Sequence, residues 1–541
     1  MLRATMMDVP LTVPPMLERA ARLFPTVEVV SRRADRSLHR STYATIHRRA
    51  RRLAAALVGL GLKPGQPVAT LMWNHDAHLE AYFAIPWAGG VLHTLNLRLS
   101  PDDIAYIVGH AGDRIVIVDD VLLPLLAKVR ERVSFDHVIV VSIGAEPLPA
   151  DAIGYENLLA GAGEDFAPPA LAENDAAAMC YTSGTTGRPK GVVYSHRALV
   201  LHSMATAMAD CVGHSHRATI MPIVPMFHVN AWGIPFTATM VGATLAMPGP
   251  YLDPENLLDL MVREQVNLAA GVPTIWLGVV QKFKEEPGRW PLAPGLRVVS
   301  GGAAAPESLW RDIEAMGARG FHGWGMTETT PVGSGTMIKR HMAEAETPGE
   351  ARYALLMKQG LPLPYVDMRI VNDAGEAPWD GVASGELQLR GPWIAAGYHG
   401  GEDAEKWTAD GWFCTGDVAT IDPEGYIQLT DRAKDLIKSG GEWISSQALE
   451  NALMDHPAVK EAAVIAVAHP KWQERPLAAV VLREGRTATP AELGAHLEGR
   501  FARWWLPDAY VYIDAIPRTS TGKFQKTTLR AHYKDFAWPA A

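Results

Sequence analysis

The sequence predicts an α/β protein: a large N-terminal domain of layered α/β subdomains with a β-rich subdomain, then a small α+β C-terminal domain. Three observations carry this. At 541 residues the chain exceeds what one hydrophobic core can serve. From residue 43 to about 300, apolar strand-length runs alternate with helical patterns, as expected for layered units around mainly parallel sheets. After about residue 360 the pattern changes to short strands, turns and glycines. From about 435 a smaller unit begins, so the expected domains are 1–434 and 435–541.

Taken in order, residues 43–62 read as a helix stopped by Lys63-Pro64-Gly65. Val68–Trp73 is an expected strand and His78–Trp87 an expected helix. Ser100-Pro101 supplies an N-cap and a first-position proline for the next helix. Strands at 114–119 and 137–141 flank a helix over 122–133. Ala176–Cys180 and Gly191–Tyr194 are strands, and Ser195 caps a helix over 197–210. Further on, a strand is expected at 219–224, a helix at 231–241, a strand at 244–247, and strand, helix, strand over 266–300. The β-rich part holds strands at 367–371, 385–390 and 425–429. The last unit holds a helix at 446–454, strands at 461–467 and 477–482, and a helix opened by the capping box Thr489-Pro490-Ala491-Glu492. A strand at 510–514 and a helix at 526–533 complete it.

Apolar content of 48% and charged content of 20% suit a soluble globular chain, and the net charge of −9 argues against nucleic acid as the main partner. Three scattered cysteines, Cys180, Cys211 and Cys414, show no metal spacing and no disulfide framework, which points to a reducing, cytoplasmic setting. The N-terminus lacks the apolar segment of a signal peptide. The one long uncharged run, Ala218–Leu252, is broken by Pro222, Pro225 and Pro235, so buried core or pocket lining is expected rather than a membrane span.

Chemistry collects first at Tyr181–Gly191, YTSGTTGRPKG, a glycine- and hydroxyl-rich turn with a lysine between two strands. Glycines admit close backbone N–H groups, hydroxyls donate, and lysine adds a point charge, all suited to polyphosphate. No Walker A spacing occurs: Gly522-Lys523 is followed by Phe524, and Pro517 stands where the first glycine would be. Taken alone, the turn reads equally well as a plain surface loop. Five more clusters follow: Pro225–Trp232, with His228 and Trp232; Ser300–Pro306, glycine- and alanine-rich; Phe321–Glu328; Trp412–Asp417; and Asp431–Trp443. An aromatic face can stack on a base, and a carboxylate can hold Mg²⁺ between phosphates. Each also has an ordinary reading, as a satisfied core histidine, a strand–helix turn or a solvated linker.

In this order, and ending in Pro517-Arg518-Thr519-Ser520-Thr521-Gly522-Lys523, the motifs resemble the adenylate-forming superfamily of acyl-CoA synthetases, luciferases and peptide-synthetase adenylation domains. The resemblance runs from about residue 15 to 535. It implies a two-step ligase: a carboxylate attacks the α-phosphate of ATP, giving acyl-AMP and pyrophosphate, and the thiol of CoA then displaces AMP. It also implies that the C-terminal domain is mobile, pivoting near Lys434-Asp435.

By this resemblance Thr182, Ser183, Gly184, Thr185 and Thr186 cradle the β- and γ-phosphates, with Lys190 near them. Thr182 and Glu328 are the Mg²⁺ contacts. Gly302, Ala303, Ala304, Gly323 and Trp324 frame the adenine, and Val229, His322, Gly325 and Met326 belong to the same nucleotide site. Thr327 touches the α-phosphate; Asp417 and Arg432 hold the ribose; Lys434 and Lys438 lie on the nucleotide side. Lys523 drives adenylation, with Glu328, Lys438 and His228 as further catalytic residues. His228, Trp232, Gly302 and Trp443 line or gate the acyl pocket, and Gly440, Gly441 and Trp443 form the CoA side.

Amino-acid-activating members carry an Asp at the position of His228, so a plain carboxylic acid is expected. GGEWISS and the FHVNAW run resemble two groups, dimeric bacterial long-chain fatty acyl-CoA synthetases and 3-methylmercaptopropionate-CoA ligases. A medium- to long-chain fatty acid is the leading expectation and 3-methylmercaptopropionate or another short acid the alternative. An adenylation enzyme for a carrier protein is a weaker one, since no carrier segment follows residue 535. A homodimer is expected. Trp324 stands where many relatives have Tyr, and Ser183 lies in a loop often richer in Thr.

Overall fold

The structure is a computed structural model that describes residues 4–144, 146–163, 166–182, 188–344, 349–432, 435–439, 442–469, 471–518 and 523–538. Two large sheets organise the N-terminal part. A seven-stranded sheet runs in the order Ile153–Gly154, His137–Val141, Ile115–Asp119, Pro67–Leu71, Val91–Thr94, Ala176–Tyr181, Gly191–Ser195. All its pairs are parallel except the last, an antiparallel hairpin at the sheet edge. A nine-stranded sheet has a parallel centre (Arg319–Gly325, Arg297–Gly301, Leu268–Gly271, Thr219–Pro222, Thr244–Met247, Glu28–Arg32) and antiparallel margins. The near-continuous apolar strands fit sheets covered on both faces.

Between the sheets lies the helix Asp76–Trp87, every residue of which is buried. One apolar core joins it to strands of both sheets. Its charged residues survive burial because each has a partner: Glu80 accepts from Arg49 at 2.6 Å and from Tyr155 at 2.6 Å, and Asp76 pairs with Arg33 at 3.1 Å. The predicted caps are present. Ser100 accepts from the Asp103 N–H, Ser195 from Ala198, and Thr489 forms a full capping box with Glu492.

The β-rich part is a five-stranded antiparallel sheet, Gly375–Glu376, Asp367–Asn372, Ser384–Arg390, Phe413–Ile421, Ile427–Arg432. The last unit packs the helices Ser446–Met454, Pro490–Leu497 and Lys526–His532 on a sheet built around Val459–His469 and Gln473–Leu482. Its two apolar cores draw only on residues 437–538, so it has its own interior. Among the described residues no helix is long and apolar enough to cross a membrane.

Several elements shift by a few residues from expectation, and one stretch differs in conformation. The helix over 231–241 begins later, at Ile234–Val241. Val229, Asn230, Ala231 and Trp232 all have positive φ (44°, 50°, 48° and 59°), as does Gly233 at 75°. A run of left-handed residues cannot be read from apolar periodicity, and costs roughly 1–2 kcal/mol per non-glycine residue. The helix expected over 197–210 is His196–Ala207.

Gly360 joins the nine-stranded sheet to the antiparallel one: its carbonyl accepts from the Ile427 N–H at 2.9 Å, and a Cβ there would stand 2.0 Å from the Gly335 carbonyl oxygen at φ +78°. Gly360→Ala is therefore expected to cost about 3 kcal/mol through combined clash and backbone strain. A urea-unfolding midpoint within experimental error of the parent would refute this.

Candidate active site

The predicted phosphate turn closes at its neck. The Thr182 N–H donates to the Lys190 carbonyl at 2.9 Å, and the Lys190 N–H to Thr182 Oγ1 at 3.1 Å. Ser183, Gly184, Thr185 and Thr186 lie outside the described residues. The Lys190 ammonium ion-pairs with Asp403 and sits 5.4 Å from the Tyr398 ring centroid.

Facing this neck, the strand Arg319–Gly325 ends in the turn Thr327–Thr329, which carries Glu328. Glu328 is only 4% exposed. Its Oε1 accepts from the Tyr398 hydroxyl at 2.5 Å and its carbonyl from the Ala395 N–H at 2.8 Å. The Thr327 carbonyl accepts from Tyr194 Oη at 2.8 Å. Gly325 is required here, since a Cβ would meet the Pro331 carbonyl oxygen at 1.8 Å.

Two adjoining cavities converge on Lys523. The first, about 280 Å³, is bordered at one end by Thr182, Lys190, Thr327 and Glu328. At its other end are His228, Val229, Trp232 and Gly302. The second, about 220 Å³, adds Ala303, Ala304, His322 and Asp417. Gly302, Gly323, Trp324, Gly325, Met326 and Lys523 border both. Lys523 Cε lies 3.8 Å from where a Gly302 Cβ would stand, so the C-terminal unit delivers its lysine to the junction.

His228 occupies the left-handed turn's approach, and that loop is held from below. Asn74 Nδ2 donates to the Pro222 and Val224 carbonyls at 2.8 and 2.9 Å, and Asn74 Oδ1 accepts from the Met226 N–H at 2.7 Å. Burial, then the Lys523 ammonium and the Arg98 guanidinium, push the His228 imidazole down to about 3, so it is neutral at physiological pH. His322, at the border of the second cavity, bonds the Leu356 carbonyl through Nδ1 at 2.9 Å, and burial pushes its imidazole below the usual histidine range.

Asp417 pairs across the antiparallel sheet with Arg432, whose side chain is outside the described set, as is that of Trp443. Lys434, Gly440 and Gly441 are also outside the described residues. Lys438 does not border either cavity: it lies exposed on the strand Ile437–Ser439, its N–H bonded to Glu474 at 2.8 Å.

Sequence reasoning missed Tyr398, Asp403 and Lys406, which border or brace the Glu328 end of the first cavity. It also missed a polar joint where the antiparallel sheet meets the last unit. Asp431 accepts from the Ser446 N–H at 2.7 Å, Lys526 pairs with Glu450 at 2.6 Å, and Arg530 pairs with Asp435. No motif of the sequence marks any of these; Tyr398, Asp403, Lys526 and Arg530 gain meaning from Glu328, Lys190, Glu450 and Asp435, each at least 70 positions away.

Among the described residues no group of three or more His, Cys, Asp or Glu side chains could hold a metal ion. What the cavity offers a hard cation is one carboxylate and one hydroxyl, Glu328 and Thr182, with room for phosphate oxygens and water. That set fits Mg²⁺, which keeps waters and takes one or two protein carboxylates.

Because the His228 imidazole protonates only near 3, it carries no charge change between pH 5 and 9. The pH profile of acid activation is expected to lack a break that His228→Asn removes. A limb near pH 6.5 that disappears in that variant would contradict the assignment.

Comparison with known proteins follows the same lines. The model of the AMP-binding enzyme family matches residues 17–399, and that of the AMP-binding enzyme C-terminal domain matches residues 448–523. The chain is 51% identical over 538 residues to a long-chain-fatty-acid–CoA ligase of Thermus thermophilus, covering 98% of this chain and 97% of that one. It is 43% identical over 537 residues to a 3-methylmercaptopropionyl-CoA ligase of Ruegeria lacuscaerulensis, with 98% of each covered. Among solved structures, ATP-bound MatB from Rhodopseudomonas palustris superimposes with a TM-score of 0.79 at 27% identity, covering 97% of this chain and 99% of that one. The chain therefore belongs to the AMP-binding enzyme family, as an ATP-dependent, AMP-forming acyl-CoA synthetase.

Proposed function

We propose that the acid is a medium- to long-chain fatty acid, joined to CoA through an acyl-adenylate. One observation carries this reading: the acyl end of the first cavity is walled by Val212, Trp232, Val299, Phe321 and Val332, with His228 held neutral beside them. Nothing among these residues pairs with a substrate ammonium or a second carboxylate, whereas an alkyl chain gains about 0.8 kcal/mol per methylene buried. The likeness to the Thermus long-chain ligase supports the same choice. The second reading, 3-methylmercaptopropionate, rests on the half-buried Trp232 that borders the cavity, whose bulk would shorten it, and on the likeness to the Ruegeria ligase.

The roles follow from charge. Activation brings a carboxylate against a polyanion, so cations must be present before the reaction and need not reorganise during it. Lys523 stands at the junction of the two cavities, where a carboxylate from the acyl end meets the α-phosphate; it orients both anions and offsets the charge of the transition state. Thr327 and the Gly323–Met326 backbone hold the nucleotide on the opposite side. Thr182 and Glu328 would hold Mg²⁺, which supplies further charge to the phosphates. The neutral imidazole of His228 adds no charge and helps exclude water. Asp417 serves the ribose.

The thiol step needs Lys523 withdrawn. A pivot between residues 434 and 435 is supported by the separate cores of the last unit and by the polar joint at Asp431, Asp435, Ser446, Lys526 and Arg530. Polar contacts can be remade in a second arrangement at little net cost, unlike a shared apolar core. Lys438, Gly440, Gly441 and Trp443 would approach the site in that second arrangement. Cytoplasmic residence and a homodimer belong to the same proposal.

Pyrophosphate release over acids of about three to sixteen carbons, with 3-methylmercaptopropionate included, is expected to give the highest kcat/KM for medium to long chains. A preference for 3-methylmercaptopropionate of tenfold or more would replace the leading reading with the second. Trp232→Ala is expected to move the optimum to longer acids, each added methylene being worth about 0.8 kcal/mol; an unmoved optimum would remove Trp232 from the floor of the pocket. Lys523→Ala should lower acid activation by roughly 10²–10³ while sparing transfer from preformed acyl-AMP. Equal loss of both steps would contradict the pivot.

A further inference from the structure

The Glu328 end of the first cavity holds a lysine that no motif marks. Lys406 closes the short 3₁₀ turn Ala404–Lys406, far in sequence from both the phosphate turn and the lysine of the C-terminal unit. It borders the cavity together with Thr182, Lys190, Glu328 and Tyr398. Its ammonium lies 5.9 Å from the Tyr398 ring centroid, and that of Lys190 5.4 Å from the same centroid. Both cations thus lie near the Tyr398 ring, whose hydroxyl donates to Glu328 at 2.5 Å.

The position is built. The neighbouring Trp407 donates its indole N–H to the Ala395 carbonyl at 2.6 Å and packs edge-on to Tyr398 at 5.2 Å. The Ala395 N–H in turn donates to the Glu328 carbonyl at 2.8 Å. Lys406 is therefore tied to Glu328 through two intervening contacts, and its place in the cavity is set by the same residues that set the carboxylate.

Charge completes the case. Lys190, the cation of the phosphate turn, is paired with Asp403. The Lys406 N–H donates to the Asp403 carbonyl at 3.0 Å, so one left-handed residue, at φ 47°, braces both lysines. No carboxylate pairs with Lys406 among the described residues, which leaves it half-buried and facing a cavity it shares with Glu328. A cation so placed suits an anion with several oxygens.

We propose that Lys406 is a catalytic residue that contacts the β- and γ-phosphates and stabilises pyrophosphate as it leaves. This rests on the reading of the Glu328 end as the polyphosphate side. In the step, a carboxylate oxygen forms its bond to the α-phosphorus and the bond from that phosphorus to the α,β-bridging oxygen breaks. The electron pair stays on that oxygen, so negative charge grows on pyrophosphate. Lys406 remains protonated throughout and acts by charge alone.

The test compares the full-length enzyme with Lys406→Gln and Lys406→Arg by titration calorimetry, using Mg²⁺ with a non-hydrolysable ATP analogue, Mg²⁺ with pyrophosphate, and AMP. Transfer from preformed acyl-AMP to CoA is measured in parallel. Loss of one charged contact is expected to weaken the analogue and pyrophosphate about tenfold in Lys406→Gln. AMP binding and transfer should stay within about twofold, and Lys406→Arg should restore pyrophosphate binding to within about threefold of the parent. Unchanged pyrophosphate binding in Lys406→Gln, with the parent binding normally, overturns the proposal alone. A parallel loss of AMP binding overturns it too, by showing a purely structural role. A parent enzyme that binds AMP but neither pyrophosphate nor the analogue overturns the reading of this end of the cavity as well.

Discussion

The structure depends on gathering charged groups around two adjoining cavities that meet at Lys523. Activation requires a carboxylate and a polyphosphate to meet in a space shielded from water, where uncompensated charge is costly. The chain meets this by drawing its charged groups from separate parts of the fold. Glu328 comes from the end of a central strand, Lys190 from a hairpin at the edge of the other sheet, and Lys523 from the C-terminal unit. Groups arriving from different bodies can be separated again, which a two-step reaction in one site requires. Burial, with the Lys523 and Arg98 cations nearby, leaves the His228 imidazole uncharged.

Rigid scaffolding supports this gathering. The buried helix Asp76–Trp87 and the loop before it do more than fill space between the sheets: Asn74 satisfies three backbone groups of the loop leading to His228. That loop then enters a left-handed turn whose residues are individually disfavoured. A strained conformation persists only where its surroundings over-determine it. The hydrogen bonds from Asn74 to the loop, and from Asn230 to Tyr82 at 3.4 Å, do this. The outcome is that His228, Val229 and Trp232 all border the cavity.

The polar joint beside the proposed pivot shows the opposite use of polar contacts. Asp431, Asp435, Ser446, Glu450, Lys526 and Arg530 form a compact set held by ion pairs and by hydrogen bonds from hydroxyl, ammonium and backbone N–H groups. Such contacts fix one arrangement well, yet are exchangeable for water or other partners. An apolar core is not, because its packing has few alternatives. The contrast between this joint and the closed cores on either side is what the proposed pivot calls for: closed interiors within the units and exchangeable contacts between them.

Much was decided by the sequence alone. The strands Ala176–Tyr181 and Gly191–Ser195, the caps at Ser100, Ser195 and Thr489, and the helix Ser446–Met454 follow from short-range rules, since propensity, capping and alternation act over a few residues. Residues such as Thr182, Glu328, Asp417 and Lys523 were legible because they sit inside compact motifs. Tertiary structure alone decided the left-handed turn at Val229–Trp232, the pairing of Lys190 with Asp403, the clasp of Tyr398 on Glu328, and the approach of Lys406. These depend on contacts between segments separated by as many as 213 positions, Lys190 to Asp403 being one, and on burial that sets which groups stay charged. No local pattern encodes such contacts, because their energy comes from desolvation and partner geometry that exist only once the chain has folded.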